Sequence, residues 1–196
     1  MQIEFWLEFA STYSYLSALR LPTQTAKAGV SVRWRPFLLG PIFAAQGWNT
    51  SPFNIYAAKG TYMWRDMERR ADKLGLGFQR PEPFPQNSLL AARVAQAAPE
   101  GQEMIAFCHN VYLAQFSEKL DISDPNVIAA CAASAGLDAK LLDQAQTKDN
   151  KLALRASTEE AIRQGIFGAP SFVVGDALFW GDDRLEDALD WAVQHG

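Results

Sequence analysis

Two serines, Ser11 and Ser14, stand on either side of Thr12 and Tyr13, directly behind an alternating apolar run and at the head of a helix-forming stretch. At a helix N-terminus this is the spacing at which paired cysteines exchange disulfides, because the helix dipole and the free N–H groups favour a thiolate. With serine at both positions the loop has no thiol to exchange, so sulfur chemistry here requires a sulfur carried in by a ligand. A serine hydroxyl at that point can donate a hydrogen bond to a thiolate and stabilise it together with the dipole. Glutathione is the thiol that fits this requirement. Serine is also among the commonest helix N-caps, and for Ser11 the sequence leaves both readings open.

A second stretch, Phe167-Gly168-Ala169-Pro170-Ser171, places a proline at the start of a strand. A cis bond there would present the backbone of Ala169 for pairing with an extended peptide such as glutathione, whereas a trans proline would simply begin the strand. A third, Phe179-Trp180-Gly181-Asp182-Asp183-Arg184, puts two carboxylates where a helix begins. They are suited either to capping or to binding the ammonium of a γ-glutamyl group. The cysteines Cys108 and Cys131 lack CxxC spacing and read as small buried hydrophobes. His109 and His195 offer no ligand spacing, so no metal site is expected. The absence of a GxSxG elbow argues against a serine hydrolase.

The elements that must position these residues follow from periodicity. Ile3, Phe5, Leu7 and Phe9 alternate with Glu4, Trp6 and Glu8, a strand carrying bulky residues on both faces. A helix is expected from Tyr13 to Ala28, kinked or restarted near Pro22 and closed by Gly29, and then a strand from Val30 to Phe37. The stretch 38–160 reads as mostly helical, with Met63, Met67, Ala71 and Leu74 forming an apolar stripe beside charged residues. Further helices are expected around 87–98, 101–116, 126–135 and 139–146. Ser157-Thr158-Glu159-Glu160 matches a capping box opening a short helix that ends near Gly165. A hairpin over 170–180 follows, and then a final helix carrying Leu185, Ala188, Leu189, Ala192 and Val193 on one face. The termini thus supply βαβ and ββα halves of one sheet. This is the α/β layout of a thioredoxin-like fold with a large all-helical insertion: residues 1–38 and 160–196 in the thioredoxin-like domain, residues 39–159 in the insertion.

At 196 residues and 48% hydrophobic the chain can bury a substantial core. Its net charge of −4 gives no footprint for nucleic acid. No apolar run approaches the roughly 18 residues of a membrane span, and the first residues do not read as a secretory leader, so a cytoplasmic protein is expected.

Several stretches in order along the chain resemble the 2-hydroxychromene-2-carboxylate isomerase family, relatives of kappa-class glutathione transferases within the DsbA branch of the thioredoxin superfamily. They are Phe9-Ala10-Ser11-Thr12-Tyr13-Ser14-Tyr15-Leu16, Arg35-Pro36-Phe37-Leu38-Leu39-Gly40-Pro41-Ile42-Phe43, Lys59-Gly60-Thr61-Tyr62-Met63, Ile166-Phe167-Gly168-Ala169-Pro170-Ser171 and Phe179-Trp180-Gly181-Asp182-Asp183-Arg184-Leu185. The resemblance implies a catalytic role for Ser11 and glutathione contacts from Asn49, Lys59, Ala169, Pro170, Trp180, Gly181, Asp182 and Asp183. It further implies substrate contacts from Asn54 and Asn87, glutathione as cofactor, an aromatic-degradation intermediate as substrate, and a homodimer. A kappa-like transferase and a non-enzymatic binding module are the rival readings. Two positions depart from the family pattern: Thr12 replaces a proline, and Ala44 replaces a lysine able to bind a substrate carboxylate. Trp48, Phe53, Tyr56, Trp64 and Phe84 are candidates for an aromatic pocket or for core packing.

Overall fold

The computed structural model describes residues 2–195. Its centre is β1 (Gln2–Leu7), in which Ile3, Phe5, Trp6 and Leu7 are all fully buried. A strand buried on both faces needs a neighbour on each edge and a layer on each side. β1 runs parallel to β2 (Ser31–Pro36) and antiparallel to β3 (Ser171–Val174), which pairs in turn with β4 (Ala177–Trp180). The sheet order is therefore β2-β1-β3-β4. On one face Phe5 meets Trp34 edge-on at 4.9 Å and stacks on Phe172 at 5.4 Å. On the other, Trp6 packs with Phe37, Ile42, Ala161 and Ile166 in a smaller core.

The crossover from β1 to β2 is α1 (Thr12–Ala28), closed by Gly29 in the left-handed conformation. Of the two alternatives at Pro22, the restart does not occur: α1 runs through the proline as one helix. Proline removes the N–H that would pair with the carbonyl four residues earlier, Ala18. His109, from the distant helix α6 (Gln102–Phe116), places Nε2 2.9 Å from that carbonyl and takes over the bond. Thr25 Oγ1 adds a bond of 2.9 Å to Leu21 O.

Between the sheet halves come α2 (Leu39–Ala45), α3 (Pro52–Ile55), α4 (Ala57–Leu74), α5 (Leu89–Ala97), α6, α7 (Pro125–Ser134), α8 (Lys140–Gln144) and α9 (Lys148–Arg163). Met63, Met67 and Ala71 of α4 are buried as the stripe predicts. They join Phe107, Tyr112 and Ile128 in one hydrophobic cluster with Phe5, Leu7 and Phe172 of the sheet. The capping box does not open a helix: α9 begins 9 residues earlier, capped by Thr147. Ser157 and Thr158 lie inside it, where Ser157 Oγ donates to Pro36 O at 2.8 Å and Thr158 Oγ1 accepts from the Leu38 N–H at 3.2 Å. Those bonds to the end of β2 explain the two hydroxyls without a cap. The expected boundary between residues 159 and 160 thus falls within a continuous helix. After β4, a short 3₁₀ turn (Asp182–Arg184) leads into α10 (Leu185–Gln194), which buries Leu185, Ala188, Leu189 and Ala192 and leaves Val193 exposed.

Candidate active site

The ends of β1 and β3 and the N-terminus of α1 open into a cavity of about 1260 Å³. That exceeds the roughly 300–1,000 Å³ of ordinary ligand pockets, and leaves room for two small molecules side by side. Ser11 stands at the head of α1, where its hydroxyl both accepts and donates a hydrogen bond. Its Oγ accepts from the Ser14 N–H at 3.2 Å and donates to the Ala169 carbonyl at 2.8 Å. It is therefore an N-cap and a cavity residue at once. The first turn of α1 carries no acidic side chain, so the positive end of its dipole is not neutralised there. Both cysteines lie elsewhere, buried in α6 and α7.

The Ala169-Pro170 bond is cis. Ala169 lines the cavity, while Pro170 is buried behind it and accepts from the Gly181 N–H at 3.0 Å. Gly168 and Gly181 make the wall thin. A Cβ on Gly168 would collide with the Trp180 indole, and one on Gly181, at φ +113°, would come within 2.6 Å of Asp183 Oδ1. Trp180 is half exposed at the mouth and packs on Phe167 at 4.8 Å.

The two carboxylates expected together behave differently. Asp182 is 2% exposed and both its oxygens are taken: Oδ1 by Ser17 Oγ at 2.9 Å and Arg20 at 2.7 Å, Oδ2 by Arg70. Asp183 is exposed and among the described residues pairs only with Arg184, at 3.0 Å, so it is the one open to a ligand ammonium. Lys59 and Asn87 line the cavity, whereas Asn49 and Asn54 do not. Asn49 is exposed, and Asn54 is tied to Thr50 Oγ1 and to Phe84 O at 3.1 and 3.0 Å. Of the aromatic candidates, Trp48, Phe53 and Phe84 line the cavity with Leu38, Leu39 and Phe43. Trp64 packs against Phe84 from outside, at 4.7 Å. Ala44 is exposed on α2, away from the cavity.

Sequence reading missed two sets of lining residues. Tyr62, Asp66 and Arg70 follow the expected Lys59 at helical spacing on α4, and like it they face the cavity. The pattern was visible, but beside the apolar stripe it reads as a solvated face. Glu8, Gln86 and Ser88 form the inner wall. Glu8 is 5% exposed and accepts from Ser88 Oγ. Burial pushes its carboxyl up to about 7, against the lowering effect of Ser88 and the Ala10 and Ser11 backbone N–H groups. A carboxylate directly after an otherwise buried strand was the available signal.

The chain's likenesses agree with this arrangement. The family model of DsbA-like thioredoxin domains matches residues 2–191. A 2-hydroxychromene-2-carboxylate isomerase of Sphingobium xenophagum is 30% identical over 186 residues, covering 94% of each chain. The human glutathione S-transferase kappa 1 is 29% identical, over 94% of this chain and 87% of its own. Among solved structures, a 2-hydroxychromene-2-carboxylate isomerase superposes with a TM-score of 0.88 at 23% identity, covering 100% of this chain and 95% of its own. The cytosolic disulfide reductase DsbM of Pseudomonas aeruginosa with GSH does so at 0.68 and 16%, covering 100% and 97%. Matched over this length, the chain belongs to the DsbA-like thioredoxin domain family and, within it, to the 2-hydroxychromene-2-carboxylate isomerase family.

Proposed function

We propose that the protein is a glutathione-dependent isomerase that interconverts 2-hydroxychromene-2-carboxylate and trans-o-hydroxybenzylidenepyruvate, or a close analogue, in the breakdown of aromatic compounds. The observation that carries this reading is Ser11: a hydroxyl at an uncompensated helix N-terminus, lining a large cavity where no cysteine stands. The residues present fit glutathione. Ala169 offers an amide that donates to no acceptor among the described residues, Lys59 and Arg70 offer cations for its carboxylates, and Asp183 offers an anion for its ammonium. Trp180 and Gly181 border the same end, and Asn87 stands with the aromatic wall on the other.

When bound, glutathione supplies a nucleophilic sulfur whose reversible addition to a conjugated carbon turns a double bond single and permits rotation. The chain contributes the environment. Ser11 Oγ–H turns from the Ala169 carbonyl to the sulfur while the Ser14 N–H holds its oxygen in place. The head of α1 favours the anion, and the apolar wall formed by Leu38, Leu39, Phe43, Trp48 and Phe53 keeps water from competing for it. Arg70 is held at the cavity by Asp182, which fixes it as a cation for the carboxylates of glutathione.

Calorimetric titration with glutathione, combined with a spectrophotometric assay on 2-hydroxychromene-2-carboxylate, tests this. Binding with isomerisation and no net loss of glutathione is the expected result. Consumption of one glutathione per product would indicate instead a transferase like the kappa-class relative, and absence of binding would overturn the reading.

A further inference from the structure

A thiol that becomes a thiolate must give its proton to something, and the cavity holds few candidates. Neither histidine lines it: His109 is committed to Ala18 O, and His195 lies at the far end of α10. Four carboxylates do, namely Glu8, Asp66, Asp182 and Asp183. Three of them have arginine partners: Asp66 has Arg69 at 3.3 Å, Asp182 has Arg20 and Arg70, and Asp183 has Arg184. A carboxylate held by a guanidinium is a poor base, because the cation stabilises its charged form. Glu8 has no cationic partner among the described residues. Its contacts are neutral: Ser88 Oγ to its carboxyl, and the Ala10 and Ser11 backbone N–H groups beside it.

Its position is equally particular. Glu8 directly follows β1, three residues before Ser11, and its own carbonyl is held by the Ser11 N–H at 3.1 Å and the Tyr112 hydroxyl at 3.0 Å. The peptide frame that carries the carboxylate is thus the one that carries the serine hydroxyl. The titratable groups packed behind it from α6, Tyr112 and Cys108, are pushed up by burial and remain neutral. The remaining cavity charges, Lys59 and the Asp66, Arg70, Asp182 and Asp183 set, come from α4 and the turn before α10.

We infer that Glu8 is the proton acceptor for the thiol of bound glutathione. Its carboxylate takes the S–H proton as the sulfur becomes anionic beside Ser11, and gives it back when the thiol leaves. The S–H electron pair stays on sulfur, one O–H bond forms, and nothing is oxidised or reduced. This inference rests on the glutathione reading above. The titration of Glu8 near neutrality suits the task, since a general base works best with a pKa close to the working pH.

The test is the number of protons released to solvent per glutathione bound, measured calorimetrically in buffers of different ionisation enthalpy. Ultraviolet absorbance of the bound thiolate is followed in parallel. In wild type the count falls from about one at about pH 6, where Glu8 is already protonated, to near zero at about pH 8, where Glu8 captures the proton. Glu8→Gln releases about one at both. Ser88→Ala removes a bond that favours the carboxylate, and moves the fall to higher pH. Thiolate formation with the same count in wild type and Glu8→Gln overturns the role of Glu8 alone. Failure of wild type to bind glutathione overturns it together with the glutathione reading.

Discussion

Ser11 carries two duties that a single substitution to alanine would confound. As an N-cap it is worth about 1 kcal/mol, most of which glycine retains. As a donor to an anion it is worth about 10²–10³ in turnover, the usual cost of losing one such group. Ser11→Gly should therefore keep its urea midpoint close to wild type while losing isomerase turnover by that factor. Ser11→Ala should lose both, by about 1 kcal/mol and by a similar factor. Equal turnover in wild type and Ser11→Gly would reduce the residue to a cap. The Ser11 position was readable from the chain because capping is local chemistry, written within the four residues Ser11 to Ser14. That its hydroxyl points at Ala169, 158 residues away, was not.

At the scale of elements, the site depends on how α1 is held. Its carbonyl at Ala18, orphaned by Pro22, is paired by His109 from α6. Burial lowers the pKa of that imidazole while the Ala18 bond raises it. His109→Leu should leave the carbonyl buried and unpaired, at a cost of about 2 kcal/mol in a denaturant titration. A second clamp joins α1, α4 and the turn before α10, where Asp182 gathers Ser17, Arg20 and Arg70. Asp182→Ala should destabilise by about 3 kcal/mol, because it strands the Arg70 guanidinium and leaves Arg20 with Glu186 alone; Arg70, a third exposed, recovers part of its hydration and keeps the loss at the low end for such pairs. Unchanged unfolding midpoints would show that water replaces the clamp. In the sequence Asp182 reads equally well as a cap or as a ligand group, since its arginines come from segments 112 and 162 residues away.

For the whole molecule, the buried carboxyl of Glu8 makes stability depend on pH. Its folded-state pKa, about 7, lies above the ordinary carboxyl value of 4.5. Between those values the folded state binds more protons than the unfolded chain, so stability falls as pH rises through that window and levels off above it. The change is about 3 kcal/mol if the full shift is expressed. Urea unfolding at about pH 5 and about pH 8 should show wild type losing about 2.5 kcal/mol more than Glu8→Gln, and parallel losses in the two proteins would remove the buried carboxyl as the cause. Among the described residues no helix is long and apolar enough to cross a membrane.

The chain by itself determined its sheet halves, most of its helices and the serine pair. Alternation, apolar stripes and caps are set by neighbours within a turn or a strand, and Ile3, Phe5 and Leu7, or Met63, Met67 and Ala71, express them directly. Where local signals misled, at Pro22 and at Ser157-Thr158, a distant group satisfied the same backbone or hydroxyl requirement. Only the tertiary structure decided that Tyr62, Asp66 and Arg70 face a cavity instead of solvent, that Asp182 is consumed by arginines, and that Glu8 is enclosed without a cation among the described residues. Desolvation and ion pairing depend on which atoms arrive from far along the chain, and residue order does not specify that until the helices pack on the sheet.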